Sequence, residues 1–343
     1  AVAAMGDGAA QVLQRLHAAG RLHAVLGMGG SGGSSLFSRA VSRLPVGTPK
    51  ILVSTVASGN TRAYVGTSDL TMTYSVVDIA GINVISEQVL GNAAAAAAGM
   101  ARHAAGRRPR PLTKPRLAAT MYGNTTPCVS TARQWLEDHG YEVLVFHATG
   151  SGGMAMESLL EAGVATGVLD VTAAELADEL LGGLCAAGPQ RMEVAGKLGL
   201  PQVVTPGAID MVNFGPPATV PERFRDRRLY RHNPAVTLMR TSTEECAILG
   251  GRLAGKLNMA QGPLTIFIPL RGFSAIGVEG GVFHDPLADA ALIGELKAGL
   301  DPALEVIEVD THVNDPAFAT AMAARLHEHH QAWARRRRPP WSG

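Results

Sequence analysis

The sequence predicts an α/β protein built from parallel sheets with helices on both faces. Three observations carry that expectation. Strand-sized apolar runs alternate with helix-period segments along most of the 343 residues. The strands are continuously apolar, as in sheets buried on both sides. The 40 glycines gather where strands give way to helices.

In the first part, residues 9–20 set Val12, Leu13 and Leu16 on one helical face and stop at Gly20. His23-Ala-Val-Leu26 is a short strand; a glycine-rich loop follows, and Ser34 or Ser35 caps a helix to about residue 43. Ile51–Val56 is the next strand, and residues 86–105 form an alanine-rich helix. Arg107–Pro115 is basic and proline-rich, so it is taken as a linker. The expected domains are 1–112 and 113–334, with a basic tail at 335–343. In the second domain, strands are expected at 116–121, 142–148, 164–169, 202–205, 236–240, 264–269 and 304–309. Helices are expected at 128–139, 153–162, 173–182, 189–199, 243–258, 287–299 and 316–333.

Composition narrows the function. Hydrophobic residues at 46% and charged residues at 17% exclude a disordered chain. Net charge is +1, and Arg335–Arg338 supply four positive charges, so the remaining body is −3. Such a body gives no field for a nucleic-acid backbone, which points to small molecules or protein partners. Cys128, Cys185 and Cys246 are widely spaced, which argues against a disulfide framework and fits a reducing, cytoplasmic setting. No apolar run reaches the ~18 residues of a membrane span.

Two glycine loops dominate the polar residues. Gly27-Met-Gly29-Gly30-Ser31-Gly32-Gly33-Ser34-Ser35 lies between a strand and a helix. Its bare amides and the helix dipole suit a phosphate or carboxylate. It matches the GxGxxG dinucleotide spacing, but the next strand ends Ala57-Ser58-Gly59-Asn60 without the acidic ribose partner, which disfavours NAD. The second loop, His147-Ala-Thr149-Gly150-Ser151-Gly152-Gly153, repeats the arrangement, with Glu157 one turn into its helix. Thr172 and Glu175 have the spacing of a capping box. Asn124 follows another strand, and Arg240 and Arg271 end strands, as anion clamps or as structural ion pairs. His147, Glu157, Asp210 and Arg240 are the acid–base and charge-stabilising candidates. Asp210, Glu244 and Asp285 offer hard oxygen ligands for Mg²⁺, although their spacing fixes no site.

Several segments together resemble one family. They are Gly27–Gly33, Pro49-Lys-Ile-Leu-Val-Ser-Thr-Val-Ala-Ser-Gly59, Tyr64-Val-Gly-Thr-Ser-Asp69, Val77-Asp-Ile-Ala-Gly-Ile-Asn83, His147–Gly153 and Pro206-Gly-Ala-Ile-Asp-Met-Val-Asn213. They are similar to the UPF0261 family, also called Tm-1-like ATP-binding proteins, over nearly the whole chain. The resemblance implies two Rossmann-like domains with a ligand cleft between them at the strand carboxyl ends. It also implies ATP and a homodimer, and Mg²⁺ would be the metal expected alongside that nucleotide. Matching the motifs carries phosphate contacts to Gly29, Gly30, Ser31, Gly32 and Gly33. Ser34, Ser58, Gly59, Asn60, Asn124, Thr149, Gly150, Ser151, Gly152, Gly153 and Arg271 complete the expected ligand set. Family members begin with a further strand–helix segment, so the first domain is expected to lack one strand and one helix. Two other functions stay open: an enzyme for a small phosphorylated or carboxylated substrate, and a protein-interaction module.

Overall fold

The computed structural model describes residues 1–107 and 113–337. The expected linker falls largely, and the end of the basic tail wholly, outside the described residues. The chain divides into two compact units, Ala1–Pro111 and Leu112–Gly343.

The first unit opens with helix α1 (Val2–Ala18), longer than the expected 9–20. Gly6 belongs inside it because a Cβ there would meet the Arg39 side chain at 3.0 Å. Val12, expected on the buried face, is exposed. Strands β1 (Val25–Gly29), β2 (Lys50–Ser54) and β3 (Thr71–Tyr74) pair in parallel in that order. Between them run α2 (Ser31–Val41) and the one-turn α3 (Arg62–Val65); α4 (Val84–Gly106) follows. β2 is buried on both sides, with Leu52 packed with Phe37 and Val41 of α2, and Ile51 and Val53 with Ala93 and Ala97 of α4. That two-sided burial is why its five residues are a continuous apolar run apart from their ends. Among the described residues β1 pairs only with β2, and Leu26 and Met28 point outward along it, 36% and 50% exposed. The short β3 was not expected: its Thr-Met-Thr-Tyr sequence alternates instead of running apolar.

The second unit holds a six-stranded sheet, all parallel, in the order β12-β11-β7-β6-β4-β5. Its strands are β4 (Arg116–Met121), β5 (Glu142–His147), β6 (Val168–Thr172), β7 (Gln202–Gly207), β11 (Leu264–Pro269) and β12 (Glu305–Val309). One face carries α5 (Thr126–Asp138) and α11 (Pro316–Arg337), whose Val129, Leu136, Phe318 and Leu326 pack on Leu117, Leu169 and Phe267. The other face carries α9 (Thr243–Leu257) and α10 (Pro286–Gly299), with Leu253 and Leu292 against Val204 and Ile266. Helices α6 (Ser151–Glu161), α7 (Ala174–Leu181) and α8 (Val194–Lys197) complete the connections.

Four expectations need correction. The run 236–240 is not in the parallel sheet: β10 (Val236–Arg240) is the centre of an antiparallel sheet between β8 (Met211–Phe214) and β9 (Leu229–Asn233). The third strand of the domain lies at β6, not 164–169, because the polar Asp170 and Thr172 have buried partners and remain in the sheet. The helix expected at 189–199 shrinks to α8, since the backbone turns at Gly188 (φ 85°) and Met192 (φ 70°). Helix α11 continues through Arg337, whose guanidinium lies over the Trp333 ring at 4.4 Å, so the basic residues 335–337 are helical.

The strand order reverses at β4: β5 lies on one side and β6 on the other. Such a reversal opens a crevice above the carboxyl ends of the two strands it separates.

Candidate functional site

The first glycine loop joins β1 directly to α2. Gly30 is the N-cap, with φ −75° and ψ −159°, and no side chain caps the helix. The Ser34 amide bonds back to the Gly30 carbonyl at 2.9 Å. The amides of Ser31, Gly32 and Gly33 come before that first turn closes, so they are the unpaired donors of a helix start. All three residues are exposed. Two glycines let the strand and helix approach: a Cβ on Gly27 would enter the Phe37 ring, and one on Gly29 would lie 2.9 Å from the Gly33 Cα. Gly32 has open space, and a Cβ on Gly30 would come 3.5 Å from Thr55 Oγ1. Ser34, expected as a ligand contact, is buried, its Oγ 2.6 Å from Ser54 Oγ.

Beside this loop lie the ends of β2 and β3. Ser58, Gly59 and Asn60 are exposed, and Asn60 Oδ1 accepts the Arg62 amide at 3.1 Å. A cavity of about 270 Å³ is lined by Thr55, Tyr74, Ser75, Val76, Val77 and Asp78. Val76 has φ 64°, a costly conformation for a β-branched residue. The Ser75 hydroxyl holds it by donating to the Val77 carbonyl at 2.7 Å, and the Val77 amide donates to the Ser75 carbonyl at 2.7 Å.

The second loop has the same chemistry and an internal guest. The Gly150 and Gly153 amides donate to Glu175 Oε1 at 2.7 and 3.1 Å. Arg191 Nε donates to Glu175 Oε2 at 2.5 Å, and its terminal nitrogens hold Asp170 at 2.6 and 2.7 Å. Glu157 Oε1 lies 3.7 Å from Arg191 and accepts the Met192 amide. All four charged side chains are buried. Burial opposes the charge on Arg191, but Asp170 and Glu175 outweigh it and push its pKa well up. Burial pushes Glu157 up to about 7 despite Arg191. Glu175 is therefore not half of a capping box with Thr172: Ala173 is the N-cap, and Thr172 bonds Thr125 at 2.8 Å. A Cβ on Gly153 would displace Glu175, and one on Gly152 would strike the His147 carbonyl.

The other expected residues are scattered. His147 is exposed at the end of β5 and stacks on Tyr122 with centroids 6.0 Å apart. The Thr149 hydroxyl reaches the His147 carbonyl at 3.4 Å, and Ser151 starts α6, half-buried. Asn124 is buried, its Nδ2 on Met211 Sδ at 3.2 Å and its carbonyl accepting Ala275 and Asn314. Asp210 is 1% exposed, bonded to Ser274 at 2.7 Å, and raised in pKa by burial. Arg240 is 3% exposed and bonds Asp289 at 2.5 Å and the Phe283 carbonyl at 2.8 Å. Arg271 forms an exposed bidentate pair with Asp310 at 2.6 Å. Both arginines thus have the structural ion pairs that the sequence left open. Glu244 bonds the Ser242 hydroxyl, and Asp285 caps α10. These two and Asp210 have separate partners, and among the described residues no three His, Cys, Asp or Glu side chains converge on a metal site.

Sequence reasoning missed Arg191, Thr55, and Glu175 as a loop ligand. A usable signal was present: Asp170 sits inside the apolar run Val168-Leu-Asp-Val171, and a carboxylate in a buried strand requires a cation.

The profile "Uncharacterised protein family (UPF0261) N-terminal domain" matches residues 1–106, and its C-terminal counterpart matches 114–330. A UPF0261 protein of Clostridium tetani is 49% identical over 328 residues, covering 95% of this chain and 80% of that protein. The ToMV resistance protein Tm-1(GCR237) of Solanum lycopersicum is 44% identical over 306 residues, covering 88% of this chain and 41% of the tomato protein. The ToMV susceptible protein tm-1(GCR26) of the same plant is 42% identical over 327 residues. Among the described residues no helix is long and apolar enough to cross a membrane.

Proposed function

The chain belongs to the UPF0261 family, and from that membership and the loop geometry we propose that it binds a phosphate-bearing nucleotide, ATP, at the first glycine loop. One contrast carries the reading. Two loops of the same type begin helices, and in the second the amides hold a carboxylate of the chain itself. In the first loop, among the described residues, no side chain caps the equivalent amides, and Ser31, Gly32 and Gly33 are exposed. The Glu175 carboxylate serves as an internal stand-in for the oxyanion that such a loop accepts.

The residues fit a phosphate chain. Ser31, Gly32 and Gly33 supply amides, and Ser31 adds a hydroxyl. Gly29 and Gly30 keep side chains out of the cradle. Thr55, Ser58 and Asn60 lie on the adjoining turn, and Asp78 in the neighbouring cavity offers a carboxylate for sugar hydroxyls. ATP brings a row of negative oxygens, and Mg²⁺ travels with its phosphates. A second reading, a small carboxylated or phosphorylated metabolite, is favoured by the carboxylate in the sister loop.

Calorimetric titration with ATP, ADP, inorganic phosphate and acetate, each with and without Mg²⁺, separates these readings. Gly32→Asp is the decisive variant. Its side chain enters open space and favours the helix start, so stability holds or rises while its charge repels the ligand. The expected result is at least a tenfold loss of ATP affinity with an unchanged or higher melting temperature. Undiminished affinity would refute the loop assignment, and a preference for acetate would replace the nucleotide with the metabolite.

A further inference from the structure

The opposite end of the first unit's sheet holds a second cavity system. One lobe, about 610 Å³, is lined by His17, Leu22, His23, Val46 and Arg107, among others. A second lobe, about 330 Å³, is lined by Met100, His103, Gly99 and Asp69. The lobes share Gly47, Thr48, Pro49, Ala104 and Arg107, so they form one groove with Arg107 at its waist. The groove lies at the amino ends of β1 and β2, the full length of the strands away from the glycine loop.

Charge in the groove is one-sided. Asp69 is the only carboxylate among its described lining residues, and it is already matched. It pairs with the fully buried Lys50 ammonium, which also donates to the Pro45 carbonyl at 3.0 Å, and it accepts the Gly47 amide at 2.6 Å. Burial pushes the Asp69 carboxyl up, but these hydrogen bonds outweigh it and hold the pKa below its ordinary value. Arg107 has no carboxylate within ion-pair distance among the described residues and is exposed. Its guanidinium lies against Gly47, where a Cβ would stand 3.3 Å from Nη1. Gly47 has φ 89°, so glycine serves both the turn and the space for the cation. His17, His23 and His103 add ring nitrogens as donors, and His17 is 3.3 Å from the Thr48 hydroxyl. The second lobe adds an apolar wall from Met100, Pro49 and Ala104.

We propose that this groove is a binding site for a small amphipathic organic anion, with its carboxylate or phosphate on Arg107 and the histidines and its apolar body along Met100. An unpaired guanidinium beside apolar wall is the pairing that such a ligand satisfies.

Octanoate is the probe, with acetate as the head-group control, and binding is followed by ligand-observed NMR and thermal shift. Octanoate should bind at least tenfold more tightly than acetate. Arg107→Glu should abolish that binding, and Met100→Glu should weaken it several-fold; both side chains are exposed, so folding is spared. Gly32→Asp should leave octanoate binding intact, which keeps this site distinct from the glycine loop. Equal affinity for acetate and octanoate, or octanoate binding that survives Arg107→Glu, would overturn the proposal.

Discussion

Glu157 and Arg191 show how far a single residue's surroundings set its role. Glu157 looked like an acid–base group one turn into a helix, but it faces inward and is held by the Met192 amide. Its folded pKa of about 7 lies above the ordinary 4.5. The folded state therefore keeps this proton at a pH where the unfolded chain has lost it. The resulting stability is full below about pH 4.5 and is lost as pH rises to about 7. Denaturant melts across that range should show stability falling with pH more steeply in the parent than in Glu157→Gln, and parallel curves would refute the assignment. Arg191→Met should cost about 3–5 kcal/mol in urea unfolding, because it strands Asp170 and Glu175 in a buried site. Glu175→Ala should empty the second loop's cradle, so added acetate should raise the melting temperature of that variant by more than it raises that of the parent.

Among the elements, most strands packed on both faces were legible, although β6 was placed too early in the sequence. β4 and β11 lie where their apolar runs place them, and α9 (Thr243–Leu257) lies on the expected 243–258. β10 lies where its apolar run places it, but its antiparallel sheet was not legible: β8 and β9 are short, and β8 pairs with it from more than 20 residues away in sequence. Both glycine loops join a strand to a helix, as their local spacing implies. That the second loop holds a carboxylate of the chain itself was not legible, since Glu175 and Arg191 reach it from other segments of the chain. Close packing of α9 on α10 gives a further test. A Cβ on Gly250 would collide with the Leu292 carbonyl. Gly250→Ala should therefore destabilise by about 1–3 kcal/mol in chemical denaturation. Alanine's better helix propensity, worth roughly 1 kcal/mol, works against that cost, so a net gain in stability would show that the helices can separate.

For the molecule as a whole, the two units differ in the size and cover of their sheets. The six-stranded sheet has helices on both faces, and among the described residues the three-stranded sheet has β1 at one border, with Leu26 and Met28 turned outward. An open strand border with apolar teeth is a template on which other chains can zip together. Heated or concentrated samples should therefore cloud through Val25–Gly29 before the larger sheet melts. Met28→Lys should delay turbidity in light scattering while leaving the melting temperature where it was.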